Sequence, residues 1–190
     1  MRSSPSTPNR RRNGRLRLLV ALAGEDHPKV CTGRRLLRWG RVERTGLAEA
    51  TRGGAVVLDP HARSPLSGAD RAAAARGGIL VVDCSWNRLA ERGGLPHDDR
   101  EETPRGIRRR LPFLIATNPQ HYGRLAELNT AEALGAAVYL LDDVERAGRL
   151  LEGFRGGPEF LHVNRTRLER YRACAGPDEV TAAERALFGG

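Results

Sequence analysis

Gly77-Gly78-Ile79-Leu80-Val81-Val82-Asp83-Cys84-Ser85-Trp86 is the stretch on which the fold turns. Its apolar run, opened by glycines, reads as a strand buried on both faces, which is the pattern of a parallel sheet. The strand ends on a carboxylate, and a large aromatic follows three residues later. Open α/β sheets keep their ligands beyond the carboxyl ends of strands. Asp83 and Trp86 therefore fall where such a protein keeps its site.

Working outward, Arg15–Leu22 predicts a first strand and Ala55–Leu58 a second buried one. Between them, Arg34–Gly40 predicts a short helix. Ser67-Gly68-Ala69-Asp70 reads as a capping-box start for an alanine-rich helix to Arg76. Strand, helix and strand joined by short links argue for parallel pairing through right-handed crossovers. The polar segment Gly93–Gly106 predicts a loop between two halves. Leu111 to Pro119 is apolar but broken by prolines, which predicts a shaped loop. Beyond it the pattern is helical: Asn129 or Thr130 caps one helix, Asp142 or Asp143 a second stopped by Gly153, and Asn164 a third over Arg165–Cys174. Thr181 is the expected start of a last short helix. The resulting division is an Arg-rich arm over 1–14, an α/β half over 15–104 and a mainly helical half over 105–190.

The chain has 190 residues and a formal net charge of +9. Six arginines and no acid lie among the first 17 residues, and the remainder holds 26 basic and 23 acidic side chains. Lys29 is the only lysine. An arginine-rich arm of this kind predicts disorder up to about Gly14 and makes nucleic acid the leading partner on charge alone. No apolar run is long enough to span a bilayer and no signal-type segment is visible, so a cytoplasmic protein without a membrane partner is expected. Cys31, Cys84 and Cys174 are too far apart to suggest a disulfide framework or zinc site, and five scattered histidines give no metal centre. Dinucleotide, P-loop and zincin signatures are absent.

Each candidate residue has a structural and a functional reading. Asp83 is either a cap or a site group. Trp86 is either core or a face packed on a soft or cationic ligand. Thr32-Gly33 is either a helix N-cap or an anion contact through hydroxyl and N–H groups. Leu111-Pro112-Phe113-Leu114 either fills the core or walls an apolar pocket. All lie in loops beside predicted strand ends or helix starts, as one composite pocket requires.

In order, Asp26-His27-Pro28-Lys29-Val30-Cys31-Thr32-Gly33, Val82-Asp83-Cys84-Ser85-Trp86, Leu111-Pro112-Phe113-Leu114-Ile115-Ala116, Asn118-Pro119-Gln120-His121-Tyr122-Gly123 and Leu128-Asn129-Thr130-Ala131-Glu132-Ala133-Leu134 resemble the small-subunit rRNA aminocarboxypropyltransferases. Phe160-Leu161-His162-Val163-Asn164 matches a further segment of that family. The resemblance runs from about Leu16 to Cys174. It implies a SPOUT-like α/β half with a mostly parallel sheet and a knotted pocket, completed by a helical half. It also implies transfer of the 3-amino-3-carboxypropyl group of S-adenosylmethionine to N3 of a (methyl)pseudouridine in small-subunit rRNA, releasing methylthioadenosine. By the same resemblance, Trp86 packs at the sulfonium and methyl end, and Thr32 meets the amino-acid end. Val82 and Leu111 line the nucleoside, and Ala126 and Thr130 complete the pocket. Asp83 is a candidate base or orienting acceptor, with Trp86 beside it in the catalytic set. Arg34, Arg35, Arg108, Arg109 and Arg110 are candidates for rRNA phosphates. The expected partner is the pre-ribosomal small subunit, with a monomeric enzyme and no metal.

The chain departs from the family pattern in the shortened loop at Asp26-His27-Pro28, in Ser67-Gly68-Ala69-Asp70, and in Gly123-Arg124-Leu125-Ala126, where an aromatic wall is replaced. Two other readings stay open at this point: a SPOUT-like RNA methyltransferase, and a non-catalytic rRNA-binding assembly factor.

Overall fold

The structure is a computed structural model and describes residues 16–23, 31–84, 95, 107–141 and 143–189. Trp86, the 26–30 loop and the arginine arm lie outside the described residues. Five strands, β1 (Leu18–Leu22), β2 (Glu43–Arg44), β3 (Val56–Leu58), β4 (Ile79–Asp83) and β5 (Ile107–Arg109), form one sheet in the order β2-β1-β4-β3-β5. Every pairing is parallel. The stretch that opened the sequence reading is the central strand, with Ile79–Asp83 in register with Leu18–Leu22 on one side and Ile79–Val81 with Val56–Leu58 on the other.

Successive strand residues point to opposite faces, and both faces are covered. Leu18, Val20, Val56, Leu58, Ile79 and Val81 join the main core, while Leu19, Ala21, Val57 and Leu80 pack with Ala50 and Leu95 on the other side. That double burial is why β1, β3 and β4 read as continuous apolar runs rather than alternating ones. The short strands β2 and β5 carry no such signal. Their residues, Glu43-Arg44 and Ile107-Arg108-Arg109, are exposed or half-buried, so pairing with buried neighbours rather than local pattern makes them strands.

The helices are α1 (Thr32–Arg38), α2 (Leu47–Arg52), α3 (Arg71–Gly77, entered through a 3-10 turn at Gly68–Asp70), α4 (Thr130–Leu141), α5 (Val144–Leu151), α6 (Gly157–Val163), α7 (Arg165–Arg172) and α8 (Pro177–Phe188). No helix among the described residues is long and apolar enough to cross a membrane. α4 is buried at eleven of its twelve positions and packs against β4, α1, α5 and α7. It is the spine of the main core. Asp143 caps α5, its Oδ1 accepting from the N–H of Glu145 and Arg146, and these bonds hold its carboxyl below the usual range.

Three local expectations are corrected. Cys31, not Thr32, is the N-cap of α1, since its Sγ accepts the N–H of Arg34. Asn164 stands between α6 and α7 but does not cap α7 with its side chain, which bonds the main chain of Ile115 and donates to the Phe160 carbonyl of α6. The last helix starts at Pro177 rather than Thr181, whose hydroxyl donates back to the Pro177 carbonyl. Pro at the first turn loses no bond that a helix start would otherwise make. β5 lies beyond the 93–106 segment yet pairs with β3, so the sheet draws on both sides of that segment.

Two contacts join distant parts of the chain. Arg146 of α5 donates to the carbonyl of Leu16, just ahead of β1, at 2.7 Å. Arg35 and Arg41 both stack over Trp39, and they donate to the carbonyls of Gly153 and Glu152 in the α5–α6 turn.

Candidate active site

A cavity of about 540 Å³ opens at the carboxyl ends of the central strands. Of the residues singled out in the sequence, it is lined by Thr32, Val82, Asp83, Leu111, Ala126 and Thr130, and by Arg110 from the set expected on phosphate. They come from five separate segments: the start of α1, the end of β4, the loop after β5, the 118–126 turn and the start of α4.

Asp83 ties three of these together. It is 7% exposed. Its Oδ2 accepts the Cys31 thiol at 2.6 Å and its Oδ1 accepts a short hydrogen bond from the Thr130 hydroxyl. One carboxylate thus locks the end of β4 to the N-terminal ends of α1 and α4. Burial first, and then the Asp83 hydrogen bond, push the Cys31 thiol up to about 11, so it stays protonated and donating at neutral pH. Gly33 completes the joint, because a Cβ there would sit 2.9 Å from the Asp83 carboxyl. With Cys31 as cap, Thr32 is the first helical residue and belongs to the cavity wall. The lining here carries hydroxyl and amide groups (Thr32, Asn129, Thr130), of which the Thr130 hydroxyl already donates to Asp83 and Asn129 pairs with Glu132.

The apolar part of the lining is Leu58, Pro60, Leu111, Pro112 and Leu128, with the charged Asp59 and Arg110 beside them in the chain. Leu58-Asp59-Pro60 was not singled out in the sequence. It had the same signal as the central strand, a buried strand ending on an acid, and could have been found by that rule. Asp59 accepts from Arg108 at 2.9 Å and from the N–H of His61 at 3.0 Å. At the mouth lie Gln120, His121 and Arg124, also missed. His121 Nδ1 pairs with the Glu127 carboxylate, and this contact is the main cause of the lowered Glu127 pKa. Ala126 has φ of +64°, which no other non-glycine described residue shares in sign. An alanine held in the left-handed region carries strain of about 1 kcal/mol or more.

The loop from Leu111 to Asn118 is irregular, as the prolines predict, and is fixed by buried polar side chains from three helical segments. Glu132 of α4 accepts from the Thr117 N–H and hydroxyl and from the Asn118 amide. Asn164 accepts the Ile115 N–H and donates to its carbonyl, both at 2.8 Å. Glu184 of α8 accepts the Phe113 N–H at 3.0 Å.

The five arginines expected on phosphate are divided by the structure. Arg108 pairs with Asp59, Arg109 with Asp70 and Arg110 with Glu184, each carboxylate being buried. Arg35 is spent on Trp39, Phe154 and the Gly153 carbonyl. These four guanidiniums brace the fold. Arg34 is exposed on α1, and Arg124, at the mouth, has a 63% exposed side chain beside Glu127. No group of three or more His, Cys, Asp or Glu suited to a metal occurs among the described residues.

Comparison with known proteins gives a consistent answer. Residues 56–188 match the family profile described as "Ribosome biogenesis protein, C-terminal". The 16S rRNA aminocarboxypropyltransferase of Methanopyrus kandleri is 40% identical over 168 residues, 88% of this chain and 95% of that protein. The 18S rRNA aminocarboxypropyltransferase of Schizosaccharomyces pombe is 36% identical over 162 residues, 85% of this chain and 54% of that longer protein. Among solved structures, the SAM-dependent rRNA:acp-transferase Tsr3 from Vulcanisaeta distributa superposes with a TM-score of 0.75 at 31% identity, covering 92% of this chain and 99% of that one. With most of its length matched by the family profile and by full-length relatives, the chain belongs to the ribosome-biogenesis family that contains the small-subunit rRNA aminocarboxypropyltransferases.

Proposed function

We propose that the chain transfers the 3-amino-3-carboxypropyl group of S-adenosylmethionine to N3 of a (methyl)pseudouridine in small-subunit rRNA. The observation that carries this reading is the single cavity lined by Thr32, Val82, Asp83, Leu111, Ala126 and Thr130. Its polar lining groups suit the amino-acid end of S-adenosylmethionine, and its apolar lining residues suit the nucleoside. When bound, the co-substrate supplies a sulfonium whose neighbouring carbons are all electrophilic, so the outcome depends on which carbon the site leaves open. Thr32 and Thr130 hold the amino-acid end. Leu58, Pro60, Leu111 and Leu128 hold the nucleoside flat and keep water from it. Trp86, outside the described residues, has the role of covering the methyl group, which leaves the carbon beside sulfur to the acceptor. Asp83 holds the joint between α1, β4 and α4; it is also the nearest candidate to take the N3 proton, at the cost of one of its two hydrogen bonds. Arg34 and Arg124 face outward and are assigned to rRNA phosphates.

The same reading extends to a SPOUT-like knotted threading of the chain around the pocket, supported by the parallel order β2-β1-β4-β3-β5. It also covers a monomeric, metal-free cytoplasmic enzyme with an arginine-rich arm, an α/β half and a helical half. The test uses S-adenosylmethionine labelled either in the carboxypropyl group or in the methyl, incubated with small-subunit rRNA. Carboxypropyl label in RNA is the expected result. Methyl label instead would identify a methyltransferase, and rRNA binding with neither label a non-catalytic assembly factor.

A further inference from the structure

We infer that Glu184, in the last helix of the described chain, is a positioning residue that sets the nucleoside wall of the pocket. The inference rests on the S-adenosylmethionine reading of that pocket. Its carboxylate is 4% exposed and makes three hydrogen bonds, all to one loop. Oε1 and Oε2 accept from Arg110 Nη1 and Nη2 at 2.6 and 2.7 Å, and Oε1 also accepts the Phe113 N–H at 3.0 Å. The two residues between those anchors are Leu111 and Pro112, both in the cavity wall. One carboxylate therefore brackets the dipeptide from either side. The Arg110 guanidinium also lies over the Phe113 ring, 5.1 Å from its centroid.

The position argues against a purely packing role. Val180, Ala183, Glu184 and Leu187 form the inward stripe of α8, at the spacing of an amphipathic helix. Val180 and Ala183 already bury that stripe in the main core. An apolar residue at 184 would serve helix packing at least as well, because a buried ion pair is seldom more stable than apolar side chains of similar volume. What the carboxylate adds is a fixed geometry. A bidentate guanidinium pair admits one orientation, and the third bond fixes the main chain at Phe113. Pro112 has no N–H, and the Leu111 carbonyl accepts from Nη1 of the same Arg110 that Glu184 orients, at 3.2 Å. The height of the apolar slot is thus set from a helix more than seventy residues further along the chain.

The experiment titrates the full-length protein calorimetrically with S-adenosylmethionine and with S-adenosylhomocysteine, which shares the nucleoside and lacks the sulfonium. Two variants are compared with the parent, Glu184→Gln and the double change Arg110→Met with Glu184→Met. The double variant replaces the ion pair by apolar chains and is expected to retain the fold, checked by a thermal melt. Both variants are expected to bind both ligands roughly tenfold or more weakly, by the same factor for each ligand. KM for S-adenosylmethionine should rise while kcat at saturation stays within about threefold. A folded double variant that binds within about twofold of the parent overturns the inference. So does a loss of folding in both variants, which would make Glu184 a folding residue. Failure of the parent protein to bind either ligand would instead overturn the S-adenosylmethionine reading itself.

Discussion

At the residue scale, Asp83 carries two duties that separate experimentally. As a brace it holds Cys31 and Thr130; as a base it would take a proton from the acceptor. Asp83→Asn puts an amide donor against one of two donors. We expect S-adenosylmethionine affinity to fall roughly tenfold by calorimetry, the cost of one buried mismatched hydrogen bond. If the transfer rate at saturating co-substrate is unchanged in that variant, Asp83 is a brace only. Cys31 offers a cleaner signature. Its folded pKa, about 11, lies above the ordinary thiol value of 9.0. The protonated form is therefore favoured by folding, and its stabilisation is fully present below pH 9 and lost as pH rises from 9 to 11. Tyr139, pushed up to about 12 chiefly by burial, loses its own stabilisation between pH 10 and 12, overlapping that window, but does so equally in both proteins. Cys31→Ser replaces the thiol donor to Asp83 by a hydroxyl donor and removes the titration. Denaturant unfolding at pH 8 and pH 10.5 is expected to show a smaller alkaline loss in Cys31→Ser than in the parent. These residues also mark how far the sequence could be read. Asp83 was visible because a buried run ended on it. Its partnership with Cys31, 52 positions earlier in the chain, was not, because nothing between them gives a periodic or capping cue that pairs the two side chains.

At the scale of elements, the irregular loop between β5 and the 118–126 turn is the least conventional part and the most tightly held. Glu132 shows why. It is 1% exposed and sits in the first turn of α4. There it accepts the Asn129 N–H while its own N–H reaches Asn129 Oδ1, a reciprocal cap. The same carboxylate also receives Thr117 and Asn118. Glu132→Ala leaves at least three buried donors unpaired, and should cost about 3 kcal/mol or more. In a thermal melt that is a fall of roughly 6–12 °C, larger than for an exposed glutamate such as Glu49 on α2. Gly156 closes the same loop from the other side: its φ is +78°, and a Cβ there would lie 2.1 Å from the Thr117 carbonyl oxygen. The sequence announced the buried strands β1, β3 and β4 and most helices, because burial on both faces and 3.6-residue periodicity are local signals. It did not announce β2, β5, α2 or α6. The two strands become strands only by pairing, and the two helices are six or seven residues long, too short to show a period. The site was legible in its blocks and illegible in its braces, since ion pairs such as Arg110–Glu184 join segments that nothing in the chain order brings together.

At the scale of the whole molecule, the pocket is shared between sheet and helices, so ligand binding and global stability are linked. A ligand that requires Thr32, Val82, Leu111 and Thr130 together binds only the folded chain. Co-substrate at a hundred times its dissociation constant should add about 2.7 kcal/mol, raising the melting temperature by roughly 5–10 °C. A scan with and without S-adenosylmethionine checks this, and an unchanged melt at saturating ligand would contradict the assignment. The charge of +9 overstates the free basic surface, because Arg35, Arg108, Arg109 and Arg110 bond within the fold while staying partly exposed. Closure of the structure also has a temporal side. The carbonyl of Leu16, at the entrance to the first strand, is answered by Arg146, 130 positions later. During synthesis at roughly 5–20 residues per second, that strand waits many seconds for its partner. The nascent chain thus spends most of its translation with an apolar first strand and an unanswered carbonyl at its leading end. A chain stopped before α5 should remain dependent on holding chaperones, and the native state should appear only after release, as one late event rather than strand by strand.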